Sequence, residues 1–484
     1  MPARGILRLE LIRPVAERLP DTSEKPCFPA AGFGYHEVMS GSYQKVRFER
    51  GGLVAEEPTG DSKLWKPLRG TSSWVTNASN NAALGLPLHD GNAGWERIPL
   101  QSKNLNPLRP DQMRAVEAWE TTRSGILVMP TGTGKTEVAM HITQRVGFHT
   151  LFIAPTRALS YQLAYRLEQG FGMRVGFIGD NTFQLEPISV ATYKSAALKM
   201  EHIGSYFKLL VFDECHHLGG DMILDSARMS AAPYRLGLTA TPSRTRTGAP
   251  SAAEQLIGPI CFEIPISSAQ GSILARYGLV RVPVFLTDEE KKEYDALGAI
   301  VRNHMAERRK ESPDYSWEDV ARAASRDAEA RHAFRARLKR RSIEDHASEK
   351  LNVIEDLIQE HTQQVIIFTG SNKMARAVSC RFLIPCLLAS TMKWERERIL
   401  AGYGAGDFQA IVANKILNEG IDVPKAKVGI VVGGTGSPKD ATQRLGRILR
   451  KNGEETARLY EVVCKETGEE QRSRKRRQGD AYKR

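Results

Sequence analysis

Apolar residues along this chain come mostly in short blocks, and what separates the blocks is helix-length and amphipathic. Between residues 125 and 239 the blocks are Gly125–Met129, Thr150–Ala154, Ile188–Ala191, Leu209–Phe212 and Leu236–Thr239. Runs of four to six apolar residues suit strands buried on both faces, and their alternation with helices predicts a parallel sheet covered on both sides. The pattern lapses over about 288–345, a charged stretch from Asp288-Glu-Glu-Lys-Lys-Glu293 to Arg331–Arg341 that reads as helix. It then resumes with Gln364–Phe368, Ala410–Ala413, Val428–Val432 and Leu459–Val463.

The first hundred residues follow a different rule. Short β-prone runs such as Tyr43–Phe48 are bounded by turn formers like Gly51-Gly52, and Thr71–Gly94 is rich in Ser, Asn and Gly. The expected architecture is α/β: two parallel-sheet domains in tandem, a helical insert and a small, partly β N-terminal domain. The boundaries expected are 1–104 for an accessory domain and linker, 105–285 and 349–466 for the two sheet domains, 286–348 for the insert, and 467–484 for a disordered basic tail. Thr71–Gly94 is expected to be loop.

Composition changes the picture in one respect. The chain has 484 residues and a formal charge of +12, which favours a polyanionic partner, because Lys and Arg release counterions from phosphates. Its six cysteines show no CxxC pair and no zinc-like spacing, so they are read as reduced thiols, Cys215 beside His216 and His217 included. No apolar run approaches the roughly 20 residues that span a bilayer. The expectation is a soluble, cytoplasmic protein, nucleoid-associated if prokaryotic, with no membrane partner; its oligomeric state is not legible.

The chemistry begins at Pro130-Thr131-Gly132-Thr133-Gly134-Lys135-Thr136, which follows a strand and opens a helix. Glycines there let backbone N–H groups close on phosphate oxygens at a helix N-terminus. Lys135 would reach the β- and γ-phosphates of ATP, and Thr136 would ligate Mg2+. At the end of a later strand, Asp213 would hold Mg2+ through water and Glu214 would polarise the attacking water.

With those residues in place, the chain resembles a superfamily 2 helicase, which implies that the two parallel-sheet domains are RecA-like and the helical insert thumb-like. Leu108-Arg109-Pro110-Asp111-Gln112 resembles the adenine-reading motif, with Gln112 on the base and Arg109 supporting it. Ala154-Pro-Thr156-Arg157 and Ala191-Thr192-Tyr193 resemble the motifs that touch the nucleic-acid backbone. Gly237–Pro242 resembles the coupling motif, carried by Thr239 and Thr241. Further along, Ile367-Phe-Thr369 resembles motif IV, another nucleic-acid contact through Thr369. Asn418–Pro424 resembles motif V, with Gly420 and Asp422 at the nucleotide. Gln443–Arg450 resembles motif VI, with Gln443 coupling and Arg447 and Arg450 as arginine fingers. These three are spaced to share one helix face, as a shared γ-phosphate requires.

Over about residues 105–477 the chain is similar to XPB-like helicases of the compact archaeal type. The carrying residues are Tyr234–Pro242, Glu419–Pro424, Gln443–Arg450 and Leu459–Val463. The resemblance implies 3′–5′ movement on single-stranded or forked DNA, in repair or transcription, with a nuclease, repair or defence protein as partner. Two departures stand out. The family's Arg-Glu-Asp element is not evident near Ser243–Thr247, and Asn418 stands where an acidic residue is common. Two other functions stay open: a double-stranded DNA translocase subunit of a restriction or defence system, and an ATP-gated clamp that binds without turnover.

Overall fold

The computed structural model describes residues 46–55, 61–68, 73–80, 97–101, 104–242, 248–265, 268, 277–414, 426–434 and 456–477. Motifs V and VI, and with them Gly420, Asp422, Gln443, Arg447 and Arg450, lie outside the described residues, as do Ser243–Thr247.

Near the N-terminus, strands β1 (Val46–Glu49), β2 (Gly52–Ala55), β3 (Lys66–Pro67) and β4 (Trp74–Asn77) form an antiparallel sheet in the order β1-β2-β4-β3. Thus Thr71–Gly94, expected to be loop, contains strand β4. Alternate residues Val46, Leu53 and Ala55 pack with Trp65 against Ala231 of the neighbouring domain, and that burial overrides the polar composition.

The first large sheet runs β12-β5-β11-β10-β6-β9-β7-β8. In chain order its elements are α1 (Pro110–Thr122), β5 (Ser124–Val128), α2 (Lys135–Val146), β6 (Thr150–Ala154), α3 (Arg157–Phe171), β7 (Gly176–Gly179), β8 (Thr182–Gln184), β9 (Ile188–Thr192), α4 (Tyr193–Ile203), β10 (Leu209–Asp213), α5 (Asp221–Arg228), β11 (Tyr234–Thr239), α6 (Ala252–Ile257) and β12 (Ile260–Glu263). Only β8 is antiparallel to its neighbour. Leu151, Ile153, Leu209 and Val211 have no exposed surface, as strands sandwiched between helices require.

A second sheet, wholly parallel, runs β13-β18-β17-β14-β16-β15. Its edge strand β13 (Tyr277–Val284) pairs with the last strand, so these residues belong to the second sheet and not, as expected, to the first domain. Between β13 and the rest of this sheet stands the helical insert, α7 (Asp288–Glu311), α8 (Trp317–Ala323) and α9 (Ala328–Asp345). Thr287 and Glu290 form a capping box that starts α7. Then follow α10 (Glu349–Glu360), β14 (Val365–Thr369), α11 (Asn372–Phe382), β15 (Cys386–Leu387), α12 (Lys393–Ala405), β16 (Ala410–Ala413), β17 (Val428–Val432) and β18 (Ala457–Cys464).

The basic tail contains ordered structure. Gly468–Arg476 is helix α13, capped by Thr467, and buries Glu469, Ser473 and Arg476. Its charges are solvated by other charges: Arg476 meets Glu461 at 2.7 Å and Arg472 meets Glu344 at 2.5 Å.

Candidate nucleotide site and nucleic-acid edge

The glycine turn connects β5 to α2 across the C-terminal edge of the first sheet. Gly132 (φ 88°) and Gly134 (φ 82°) occupy the left-handed region, where side chains are strained. Thr133 is fully buried, and its hydroxyl donates to the Pro130 carbonyl at 2.7 Å. Its own carbonyl is gripped from α1: Gln112 Nε2 donates at 2.9 Å and Arg109 at 2.6 Å. Gln112 Oε1 also accepts from the Arg109 backbone N–H at 2.9 Å. Both sides of the Gln112 amide are therefore engaged within the chain, and this side chain braces the loop.

Lys135 opens α2, with Thr136 next to it. The Lys135 ammonium lies 3.2 Å from the Met129 carbonyl and 3.7 Å from Glu214 Oε1. Strands β5 and β10, which flank β11 in the sheet, thus bring together residues far apart in sequence. Asp213 ends β10, and burial beside the Glu214 charge raises its pKa to about 6, with Lys135 pulling the other way. Glu214 itself has φ 48°, a strained backbone for a non-glycine residue. The donor set suits a magnesium nucleotide: glycine amides and an ammonium for phosphate, a hydroxyl and a carboxylate for a hard cation. Among the described residues no group of three or more His, Cys, Asp or Glu is placed to hold a metal ion.

His216 does something else, which the sequence reading missed. Its Nδ1 is 2.9 Å from Thr239 Oγ1 and 3.4 Å from Glu214 Oε2. Thr239 is buried; its hydroxyl donates to the Thr241 carbonyl and accepts from the Thr241 N–H, each at 3.1 Å. With the Thr239 proton committed, His216 must carry hydrogen on Nδ1 and donate. A continuous chain, Glu214–His216–Thr239–Thr241, links the acidic pair to the residues expected to couple.

The predicted nucleic-acid contacts divide. Thr156 and Thr192 are the N-caps of α3 and α4, accepting from Leu159 and Ser195, and Arg157 is largely exposed. Tyr193, the last residue of the second stretch, Ala191–Tyr193, donates its hydroxyl to the Asp213 carbonyl at 3.0 Å and so ties the start of α4 to the acidic pair. Thr369 is fully buried, and its hydroxyl lies within hydrogen-bond reach of the Ser371 and Ala413 carbonyls at 3.2 and 3.3 Å, so its side chain holds two loops together.

Residues 106–244 match the family described as type III restriction enzyme, res subunit, and residues 349–452 the helicase conserved C-terminal domain. A DNA 3′–5′ translocase XPB2 of Sulfurisphaera tokodaii is 38% identical over 78% of this chain and 86% of its own length. A putative DNA 3′–5′ helicase Rad25 of Halobacterium salinarum is 27% identical over 88% of this chain, and a DNA 3′–5′ helicase XPB of Kineococcus radiotolerans 28% identical over 78%. The chain spans 66% and 64% of those two relatives' lengths. Among solved structures, the Pyrococcus furiosus Hef helicase domain superposes with a TM-score of 0.52 at 18% identity, covering 75% of this chain and 97% of that one. Saccharomyces cerevisiae Dbp5 gives 0.52 at 14% identity, covering 77% and 87%. These two likenesses establish the fold alone.

Proposed function

The chain belongs to the XPB family of superfamily 2 DNA helicases and translocases, and on that footing we propose that it hydrolyses ATP to move 3′ to 5′ along DNA. The observation that carries the reading is the convergence of Lys135, Asp213 and Glu214 on one edge, continued through His216 to Thr239 and Thr241.

Each residue then has a physical task. Pro130, Thr131, Gly132, Thr133 and Gly134 shape the phosphate cradle, while Arg109 and Gln112 fix its conformation through the Thr133 carbonyl. Lys135 offsets phosphate charge, and Thr136 and Asp213 would hold Mg2+, which would supply electrostatic stabilisation of the transferring phosphoryl group. Glu214, already 3.7 Å from Lys135, orients and polarises water. Any change in Glu214 is felt by His216 and hence by Thr239. Motif VI, with Gln443, Arg447 and Arg450, and motif V, with Gly420 and Asp422, complete the site from the second domain in this reading. The DNA follows the edge bearing Thr156, Arg157 and Thr192.

The test is phosphate release with and without DNA, together with strand displacement on 3′-tailed, 5′-tailed, forked and blunt duplexes and an RNA control. DNA-stimulated hydrolysis with displacement from 3′ tails or forks is expected, and hydrolysis without displacement identifies a translocase. Glu214→Gln should lower turnover by about 10²- to 10⁴-fold with nucleotide binding intact. Hydrolysis indifferent to DNA would sink the proposal.

A further inference from the structure

The hairpin β7–β8 turns through Asp180 and Asn181, both left-handed (φ 52° and 61°), the two-residue turn that suits the twist of a hairpin. That turn delivers the Asp180 carboxylate to the first turns of α3 and divides its two oxygens. Oδ1 lies 2.8 Å from the Arg157 guanidinium. Oδ2 accepts from the Tyr161 hydroxyl at 2.9 Å. Arg157 and Tyr161 are one helical turn apart on the same face.

Three features suggest that this carboxylate stands in for something else. Arg157 is the first residue of α3, where the helix dipole disfavours a cation unless an anion sits beside it. The pair is accessible, with side-chain exposures of 71% for Arg157 and 35% for Asp180, so a solute can compete for it. The Tyr161 ring is stacked on Phe177 (4.5 Å, 11°), which keeps its hydroxyl aimed at the same point whoever accepts from it.

Location supplies the ligand class. The turn lies between the two stretches assigned to the nucleic-acid backbone: Arg157 on one side, and on the other Ser195, whose Oγ would be 2.7 Å from a Cβ on Gly179 and bonds Thr192 at 2.9 Å. From the second sheet's domain, the Lys393 ammonium reaches to 5.6 Å from the Tyr161 ring centre. A guanidinium and a phenolic hydroxyl on one two-oxygen anion, with an ammonium over the phenol ring, describe a phosphodiester pocket.

We infer that Arg157 and Tyr161 form a subsite for one DNA backbone phosphate, which the Asp180 carboxylate occupies until DNA displaces it. This rests on the DNA-translocase reading and adds to it a residue that sets affinity. Exposed ion pairs are weak and each phosphate contact releases counterions, so the exchange is downhill, though less so than onto a vacant guanidinium. Asp180 therefore discounts binding, favouring release between steps.

Asp180→Asn tests this, since Asn tolerates the left-handed turn and keeps an acceptor for Tyr161 while removing the charge. Binding of a fluorescent single-stranded oligonucleotide is measured across a salt series for the wild type, Asp180→Asn, Arg157→Ala and the double variant, with thermal midpoints to confirm folding. Asp180→Asn should bind about 2- to 5-fold tighter. Arg157→Ala should bind more weakly, with a salt slope shallower by about 0.7, and Asp180→Asn should add nothing to it. Affinity unchanged or weakened by Asp180→Asn overturns the subsite, weakening meaning that Asp180 holds Arg157 in place for DNA. A wild-type protein that fails to bind DNA refutes the functional reading instead. If Asp180→Asn does not fold, Tyr161→Phe decides: it keeps the stacked ring, loses the donor and should weaken binding about 2-fold, and unchanged affinity overturns the subsite.

Discussion

Asp213 shows how one residue carries a pH dependence. Its ordinary pKa of 3.8 rises to about 6 through burial and the neighbouring Glu214. A carboxyl that holds its proton more tightly folded than unfolded contributes stability below pH 4, and this is lost as pH climbs through about 6. Binding Mg2+ must displace that same proton. Hydrolysis at limiting magnesium should therefore fall as pH drops through about 6, and saturating magnesium should move that limb to lower pH. Rate profiles at two magnesium concentrations check this, and coincident limbs would contradict it. His216 makes a separate point. Its bond to Thr239 is one hydrogen bond in a buried network, worth about 1–1.5 kcal/mol, or roughly tenfold in rate. His216→Ala should lower DNA-stimulated turnover by that factor while ATP affinity stays within about 2-fold; an equal loss of basal and stimulated rates would place His216 in hydrolysis alone.

At the scale of elements, the loop between β5 and α2 is held by what surrounds it. A Cβ on Gly134 would stand 2.4 Å from Gln112 Nε2, on a backbone at φ 82°. Gly134→Ala must therefore push Gln112 off the Thr133 carbonyl. Backbone strain of about 1–3 kcal/mol predicts a loss of nucleotide affinity of at least about 5-fold in a protein that still folds. Titration with a fluorescent ATP analogue measures it, and unaltered affinity would show that the brace is dispensable. This loop was legible in the sequence because its chemistry is local: glycines, lysine and threonine in seven consecutive positions. Strands β5, β6, β9, β10 and β11 were legible for a related reason, since each is a buried apolar block. The hairpin β7–β8 escaped notice because its strands have four and three residues and begin and end on glycine or polar side chains. The burial of Thr369 was not legible because it depends on Ala413, far away in sequence but on the neighbouring strand β16. The role of His216 depends on β11 lying beside β10, and a sequence does not display strand order.

At the scale of the whole molecule, the insert, the second sheet and the C-terminal helix are tied together at the root of the insert, again invisibly to composition. Tyr294 of α7 donates to Glu344 of α9 at 2.7 Å, and the Gly468 N–H of α13 reaches Tyr294 at 3.0 Å. Behind them Lys350 of α10 meets Glu469 of α13 at 2.7 Å, with no exposed side-chain surface on either partner. Glu469 also accepts from the Cys464 N–H that ends β18. A run of charges that reads as a solvated tail is thus the peg joining insert, sheet and C-terminal helix. Buried pairs of this kind add little net stability, yet removing one partner leaves an uncompensated charge costing about 3–5 kcal/mol. Lys350→Met should lower the melting midpoint of the second domain by roughly 6–20 °C and speed proteolysis within α7–α9. Lys350→Met combined with Glu469→Gln should recover much of that loss, because no lone charge remains buried. Singles as stable as the wild type would mean that the apolar contacts of α10 alone hold the insert. Destabilised singles with a rescued double would mean that the insert travels as one body with the second sheet, so that closure of the two domains carries the insert with it.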